Sequence, residues 1–409
     1  MEQKKSRLLS RDFILSMTAV TGTSFVNYFF FSTLPLYAEK LTGTARYAGF
    51  LSLAYSAMAL IFRPMTGIIS DRHGRVKLII LGAALCTISC VLYSFTTGLI
   101  LLLLIRILNG GGMSIGATSA GAAIPDIVPE DRLTEGIGIF GLSTTVAQAL
   151  GPTIALSIVG DGQMSSFNTL FFVAAAFCGV SFICGCFIKY ERGMKKHDRP
   201  IKNIPEQKQP QITGEGKMFL GIDPRIWSLV VVFMLFFFGY SSVLSYITLF
   251  GQVRGFQTRF LGLYFFVSAG GMLLSRLVLG RIADKRGADI VIIPGLIVAA
   301  ACLAAIPVAP SLPLLIITAL PYGIANGALV PAINAAMFKR SSPLRRGSVS
   351  AAYYIAVDVG ISLGTPVMGY VADYVGFNWV YWLSSLTVLI ALLLYIRFAS
   401  DKRNNQRLQ

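Results

Sequence analysis

Arg63-Pro64-Met65-Thr66-Gly67-Ile68-Ile69-Ser70-Asp71-Arg72-His73-Gly74-Arg75-Val76-Lys77 is the stretch that decides how this chain folds. It opens with an arginine inside an apolar segment and closes in a basic turn. It also recurs: Arg276, Gly280, Asp284, Lys285 and Gly287 repeat Arg63, Gly67, Asp71, Arg72 and Gly74, each 213 residues later. A fixed offset of about half the chain is the mark of an internal duplication.

Only 13% of the 409 residues are charged and 55% are hydrophobic, against about 25% charged in a soluble domain. The apolar runs are far longer than core helices need, which puts the chain in a bilayer. The net charge of +16 would suit nucleic acid as a partner. Its distribution argues against that, because the basic residues gather in alternate loops. Cys86, Cys90, Cys178, Cys184, Cys186 and Cys302 all lie in apolar runs without zinc-site spacing, and His73 and His197 fall in basic loops. The cysteines read as small hydrophobes, so no metal and no cofactor is expected. No Ser/His, Cys/His or paired-carboxylate cluster suggests an enzyme.

Working outward, the apolar runs read as spans, since about 20 residues cross the hydrocarbon. They are 13–37, 47–70, two within 78–125, 134–159, 167–188, 226–250, 260–282, two within 290–338, 349–371 and 377–396. Turns are expected near Thr96-Thr97-Gly98 and near Pro307, Pro310 and Pro313. The first run follows Lys4, Lys5, Arg7 and Arg11 and lacks a small-residue cleavage site, so it reads as a span rather than a signal peptide. The expected fold is therefore all-α, with twelve transmembrane helices in two six-helix repeats. The repeats cover 1–188 and 226–409, joined by a linker at 189–225. That linker holds nine Lys/Arg, five Asp/Glu and the prolines Pro200, Pro205 and Pro210, too polar to fold alone. The loops on the side of the N-terminus carry 28 Lys/Arg and the opposite side only Lys40, Arg46, Arg254 and Arg259. Both termini and the linker are then cytoplasmic.

Gly67-x-x-x-Asp71-Arg72-x-Gly74-Arg75-x-Lys77 resembles the signature of the major facilitator superfamily in its second-to-third span loop, and Gly280-x-x-x-Asp284-Lys285-x-Gly287 resembles its weaker repeat. Arg106-x-x-Asn109-Gly110-x-Gly112 is similar to the family's Arg-x-x-Gln-Gly-x-Gly. Gly141 and Gly151-Pro152 resemble the glycine-rich motif of its drug:proton antiporters. Thr153-Ile154-Ala155-Leu156 departs from that motif, and Asn27 stands in a span where many drug exporters carry a carboxylate. The resemblance implies the major facilitator fold, alternating access around a midplane site, a bacterial cytoplasmic membrane and a monomer, with small molecules and protons as partners.

The gate set is Gly67, Asp71, Arg72, Gly74, Arg75, Asp126 and Asp284. A carboxylate there meets the positive end of a neighbouring helix, glycines allow tight turns, and Asp126 is placed to pair with the arginines. The plainer reading makes Arg72, Arg75 and Lys77 topology determinants alone. Gly151, Pro152 and Gly364 (213 residues after Gly151) are expected to bend helices and let them pack closely.

Arg63, Arg106, Arg276 and Asp358 are charges inside spans, each costing about 2.5–3.5 kcal/mol at a helix centre on insertion scales. Arg63 and Arg276 are near enough to an end to snorkel. Arg106 is deeper, and the resemblance implies that it faces the cavity. Asp358 lies about 15 Å into its span at 1.5 Å per residue, and its counterpart is Thr145, so the duplication did not supply the charge. Desolvation favours the protonated acid and a nearby arginine the carboxylate. A carboxylate whose partner comes and goes therefore binds and releases a proton. Asp358 with Arg63 or Arg106 is the expected coupling set, the competing reading being a static ion pair. Asn27, Tyr28, Tyr240 and Tyr246 are polar members of aromatic runs. With Asn326, Tyr354, Arg106 and Asp358 they form the candidate cavity. The expected function is proton-coupled export of small amphipathic or lipophilic molecules. The alternatives are export or import of a sugar or metallophore, and lipid flipping.

The orientation has a direct test. A lone cysteine at Ser165 should react with an impermeant maleimide in intact cells, and one at Asn203 should not. Labelling of Asn203 would invert the topology.

Overall fold

The computed structural model describes residues 10–129, 133–160, 162–193, 226–341 and 346–399. They form twelve helices: α1 (Arg11–Thr42), α2 (Arg46–His73), α3 (Arg75–Tyr93), α4 (Leu99–Ile127), α5 (Leu133–Val159), α6 (Met164–Phe187), α7 (Trp227–Val253), α8 (Thr258–Arg286), α9 (Asp289–Ala305), α10 (Leu312–Arg340), α11 (Arg346–Tyr374) and α12 (Phe377–Leu394). No strand occurs among the described residues. Helix is the form that satisfies every backbone polar group within one segment, which a bilayer demands. On the described residues eleven helices are long and apolar enough to span. The exception is α2, which carries Arg63 mid-helix and the basic motif at its end. Of the expected linker, 190–193 form one 3₁₀ turn and 194–225 lie outside the described residues.

The duplication reappears in the helix ends. Leu99 and Leu312 start α4 and α10, Ile127 and Arg340 end them, and both pairs are 213 residues apart. The same offset separates the starts of α5 and α11, Leu133 and Arg346, and of α6 and α12, Met164 and Phe377. Gly74 and Gly287 share it too, each turning the chain at φ +96°, a conformation nearly free only for glycine.

The helices gather into two compact units. One holds the described residues up to Tyr28, with Ala57–Ala147 and Asn168 to 193; the other holds Phe29–Ser56, Gln148–Phe167 and the described residues from 226 onward. The division cuts α1, α2, α5 and α6, so their ends joined by the α1–α2 and α5–α6 turns group with α7–α12.

In the first unit α3 lies against α4 because glycine faces glycine. A Cβ on Gly82 would stand 2.6 Å from the Gly116 Cα, and one on Gly112 would meet the Leu85 Cβ at 2.9 Å. Ala19, Val20, Ile79, Ala120, Ala123 and Ile188 fill the space beside that seam. In the second unit α8 packs on α10 and α7 on α11. Gly323 and Gly327 of α10 lie against Ser268 and Met272 of α8, and a Cβ at Gly323 would come 2.6 Å from the Ser268 carbonyl carbon. Gly364 of α11 lies against α7, where a Cβ would sit 2.6 Å from the Phe238 carbonyl oxygen. Small residues at such seams are what lets membrane helices gain dispersion contact.

Gly323→Ala should therefore destabilise the solubilised protein by about 1–3 kcal/mol, the usual cost of overpacking. Gly270→Ala, at a site with no atom within 4 Å of the added methyl, should not. Equal melting temperatures for the two variants would show that the α8–α10 seam is looser than described.

Candidate functional site

Tyr240 of α7 is the focus of the second unit. Gln148 of α5 donates its side-chain amide to the Tyr240 hydroxyl (2.9 Å), and the Asn326 side chain of α10 lies beside the same hydroxyl. The Tyr240 ring stacks on Tyr322 of α10, centroids 6.4 Å apart and planes 12° apart, and meets Phe237 edge-on at 5.7 Å. Two neutral amides and a phenol thus converge against aromatic walls. Such a group binds polar atoms by hydrogen bonding and carries no net charge of its own.

The other candidates in this unit lie on α7, α11 and α5. Tyr246 is fully buried and donates to the Thr365 carbonyl of α11 (2.8 Å), so its hydroxyl ties α7 to α11. Tyr354 is 51% exposed and sits edge-on to Tyr353 at 5.1 Å. Asp358 is half-buried on α11, two residues before Gly360, whose added Cβ would meet the Phe237 Cβ of α7 at 2.8 Å. Pro152 lies inside α5 beside the buried Gly151. On the next residue, Thr153 Oγ1 donates to the Gly262 carbonyl of α8 (2.8 Å).

In the first unit Arg106 is only 2% exposed. Its Nη1 donates to Asn109 Oδ1 (3.0 Å), and Asn109 Nδ2 donates to Ser89 Oγ on α3 (3.0 Å). Tyr93 and Cys86, also on α3, lie in its field. The arginine is thus set into the α3–α4 seam, where Asn109 of the same motif holds it. Arg63 is half-buried on α2, as are Asn27 and Tyr28 on α1. Asn27 Oδ1 is buried without a hydrogen-bond partner among the described residues.

Two helix starts are held by carboxylates. At the start of α3, Gly74 turns the chain and Glu191 accepts from the Arg75 N–H (2.6 Å) and the Val76 N–H (3.4 Å). The Arg75 guanidinium pairs with Asp126 and donates to the Ala122 carbonyl of α4. Burial, then the Glu191 and Asp126 charges, push the Tyr190 phenol well up, so it stays a donor, to Glu191 Oε1 at 3.3 Å. Gly67, Asp71, Arg72 and Asp284 lie on α2 and α8, with side chains outside the described residues. At the start of α2, Asp373 of α11 accepts from the Ala45 N–H (2.9 Å) and the Arg46 N–H (3.0 Å). The same α2–α11 contact is tight further along: a Cβ on Gly49 would stand 2.8 Å from the Pro366 nitrogen. Thr248 of α7 donates to the Ser32 carbonyl of α1 (3.1 Å). A carboxylate at a helix start gains from charge-assisted bonds and from the helix dipole together.

Gln148, Tyr322, Glu191 and Asp373 are additions to the residues expected from sequence. Gln148 carried a signal, being a long amide within an apolar span. Glu191 and Asp373 did not, since each falls just past a span end, where charge is unremarkable.

The model of the Major Facilitator Superfamily matches residues 16–312 and 259–408. The staphylopine export protein of Staphylococcus aureus is 23% identical over 94% of this chain and 94% of its own. The multi-drug resistance efflux pump PmrA of Streptococcus pneumoniae is 25% identical over 88% and 89%. The crystal structure of a bacterial homologue of the human lysosomal transporter Spinster superposes with a TM-score of 0.78 at 16% identity, covering 95% of this chain and 97% of that one. With its twelve helices and its two copies of the loop motif, the chain is a multi-pass membrane transporter of small molecules rather than an enzyme, and it belongs to the Major Facilitator Superfamily.

Proposed function

We propose that the protein exports small amphipathic or lipophilic organic molecules from a bacterial cytoplasm in exchange for protons, by alternating access. The observation that carries this reading is the Gln148–Tyr240–Asn326 focus set among Phe237 and Tyr322. Apolar walls supply most of the affinity for such a substrate, at about 25 cal/mol per Å² buried, and the neutral polar groups orient it. Efflux relatives support the direction of transport. A second reading, export of an endogenous metabolite, is favoured by the breadth of the match to a protein named for staphylopine export.

Asp358 is the group assigned to the proton, with Arg63 and Arg106 biasing its charge. Arg106 is held within the α3–α4 seam of its own unit by Asn109. Asp358→Asn should leave the protein folded and able to bind or exchange substrate, while abolishing accumulation driven by an imposed pH gradient in proteoliposomes. Accumulation that persists in Asp358→Asn removes the coupling role, whatever the substrate.

The Asp373 contact is assigned to the gate at the α1–α2 end. Hydrogen bonds to a charged group contribute about 1.5–3 kcal/mol each, enough to bias a two-state equilibrium by tenfold or more. Asp373→Asn should shift the population toward states with that end parted. Spin labels at Thr44 and Val375 should then show a longer mean separation than in the parent protein. An unchanged distance distribution would leave Asp373 as a static cap.

A further inference from the structure

A recess of about 250 Å³ opens where α7 ends and α12 begins, lined by Phe250, Arg254, Gly376, Phe377, Asn378 and Trp379. Its cation is fixed in place. The Arg254 guanidinium lies 5.2 Å over the Phe250 ring, and its Nη2 donates to the Pro307 carbonyl and to Asn378 Oδ1 (3.2 Å). Both bonds use Nη2. The Nε and Nη1 donors of the fork remain, and no carboxylate pairs with Arg254 among the described residues. An arginine with an aromatic ring on one side and two acceptors on another has given up most of its rotamer freedom. What remains is a pre-oriented, un-neutralised fork of the shape that recognises phosphate.

The surroundings say which phosphate. Val253 and Val375, which complete the lining, are 65% and 57% exposed, and Trp379 is 53% exposed. Trp382 on α12 and Tyr374 at the end of α11 are exposed as well. Exposed tryptophan, tyrosine and valine around the ends of apolar spans mark the level of lipid headgroups. A molecule lying there has its anionic group in the recess and its hydrocarbon along Trp379 and Val253. The start of α12, which no side chain caps, adds its own partial positive charge.

We infer that this recess is a binding site for the phosphate of an anionic phospholipid in the leaflet at the α7–α8 end, with Arg254 as its counter-charge. The site is separate from the Tyr240 focus and does not depend on which substrate is carried. A fixed lipid there would brace the end of α7 against the α9–α10 turn and the start of α12, the three elements that Arg254 already touches.

The test is retention of phosphatidylglycerol by the purified, delipidated protein, read by native mass spectrometry as the lipid is titrated in. The parent protein should bind one phosphatidylglycerol about tenfold more tightly than Arg254→Gln, one factor of ten being 1.36 kcal/mol. Arg259→Gln, close by in the first turn of α8 but stacked on Phe260 and outside the recess, should match the parent. Equal binding by Arg254→Gln overturns the site. Displacement of the lipid by 10 mM inorganic phosphate would overturn the lipid as its source and leave a free-phosphate site. Should Arg254→Gln not fold, Trp379→Ala serves the same comparison: weakened retention supports the proposal and unchanged retention sinks it.

Discussion

Close approach between helix backbones is the constraint on which the rest of this protein depends. In lipid there is no water to expel from between two helices, so association rests on dispersion contact and on a few polar bonds. Both fall off steeply with distance. The α3–α4 seam at Gly82 and Gly112, the α8–α10 seam at Gly323 and Gly327, and the α7–α11 seam at Gly360 and Gly364 each leave no room for a Cβ. Some of the polar contacts described above hang from these seams. Asn109 reaches Ser89 because α3 and α4 touch, and Tyr246 reaches the Thr365 carbonyl because α7 and α11 do.

That dependence explains how Arg106 is accommodated. A guanidinium in mid-span is costly in hydrocarbon, and here it is met by Asn109 within the motif, with the buried Tyr93 in its field. The cost is offset locally, inside one unit. By contrast, the Gln148–Tyr240–Asn326 group carries no charge to be offset. Neutral amides can sit beside an aromatic wall, exchange partners, and stay within the stability that the seams provide.

The architecture was legible in the sequence for physical reasons. A span announces itself by twenty apolar residues, and a duplication by a constant offset, so the repeat found at Arg63 and Arg276 reappears in the ends of α4 and α10. The site was legible only in part. Tyr240 and Asn326 stood out as polar residues in apolar helices, and they share one hydroxyl contact. Tyr246 stood out equally and turned its hydroxyl to a backbone carbonyl instead, because periodicity says which residues are polar but not which neighbour they meet. Glu191 and Asp373 lie just past span ends, and what gives them meaning is a helix start brought near from elsewhere in the chain.

The Asp373 contact is chemically lopsided, and that has a genetic consequence. Its acceptor is a side chain, while its donors are the main-chain N–H groups of Ala45 and Arg46. Any amino acid but proline supplies those donors. The donors themselves therefore do not depend on which side chain codons 45 and 46 encode, although the buried Ala45 leaves room only for a small one, whereas codon 373 must supply the acceptor. Selection acting on how firmly this end of the transporter holds would find its variation at a single position of α11, and reversion by a compensating side chain across the contact would have nothing to work on.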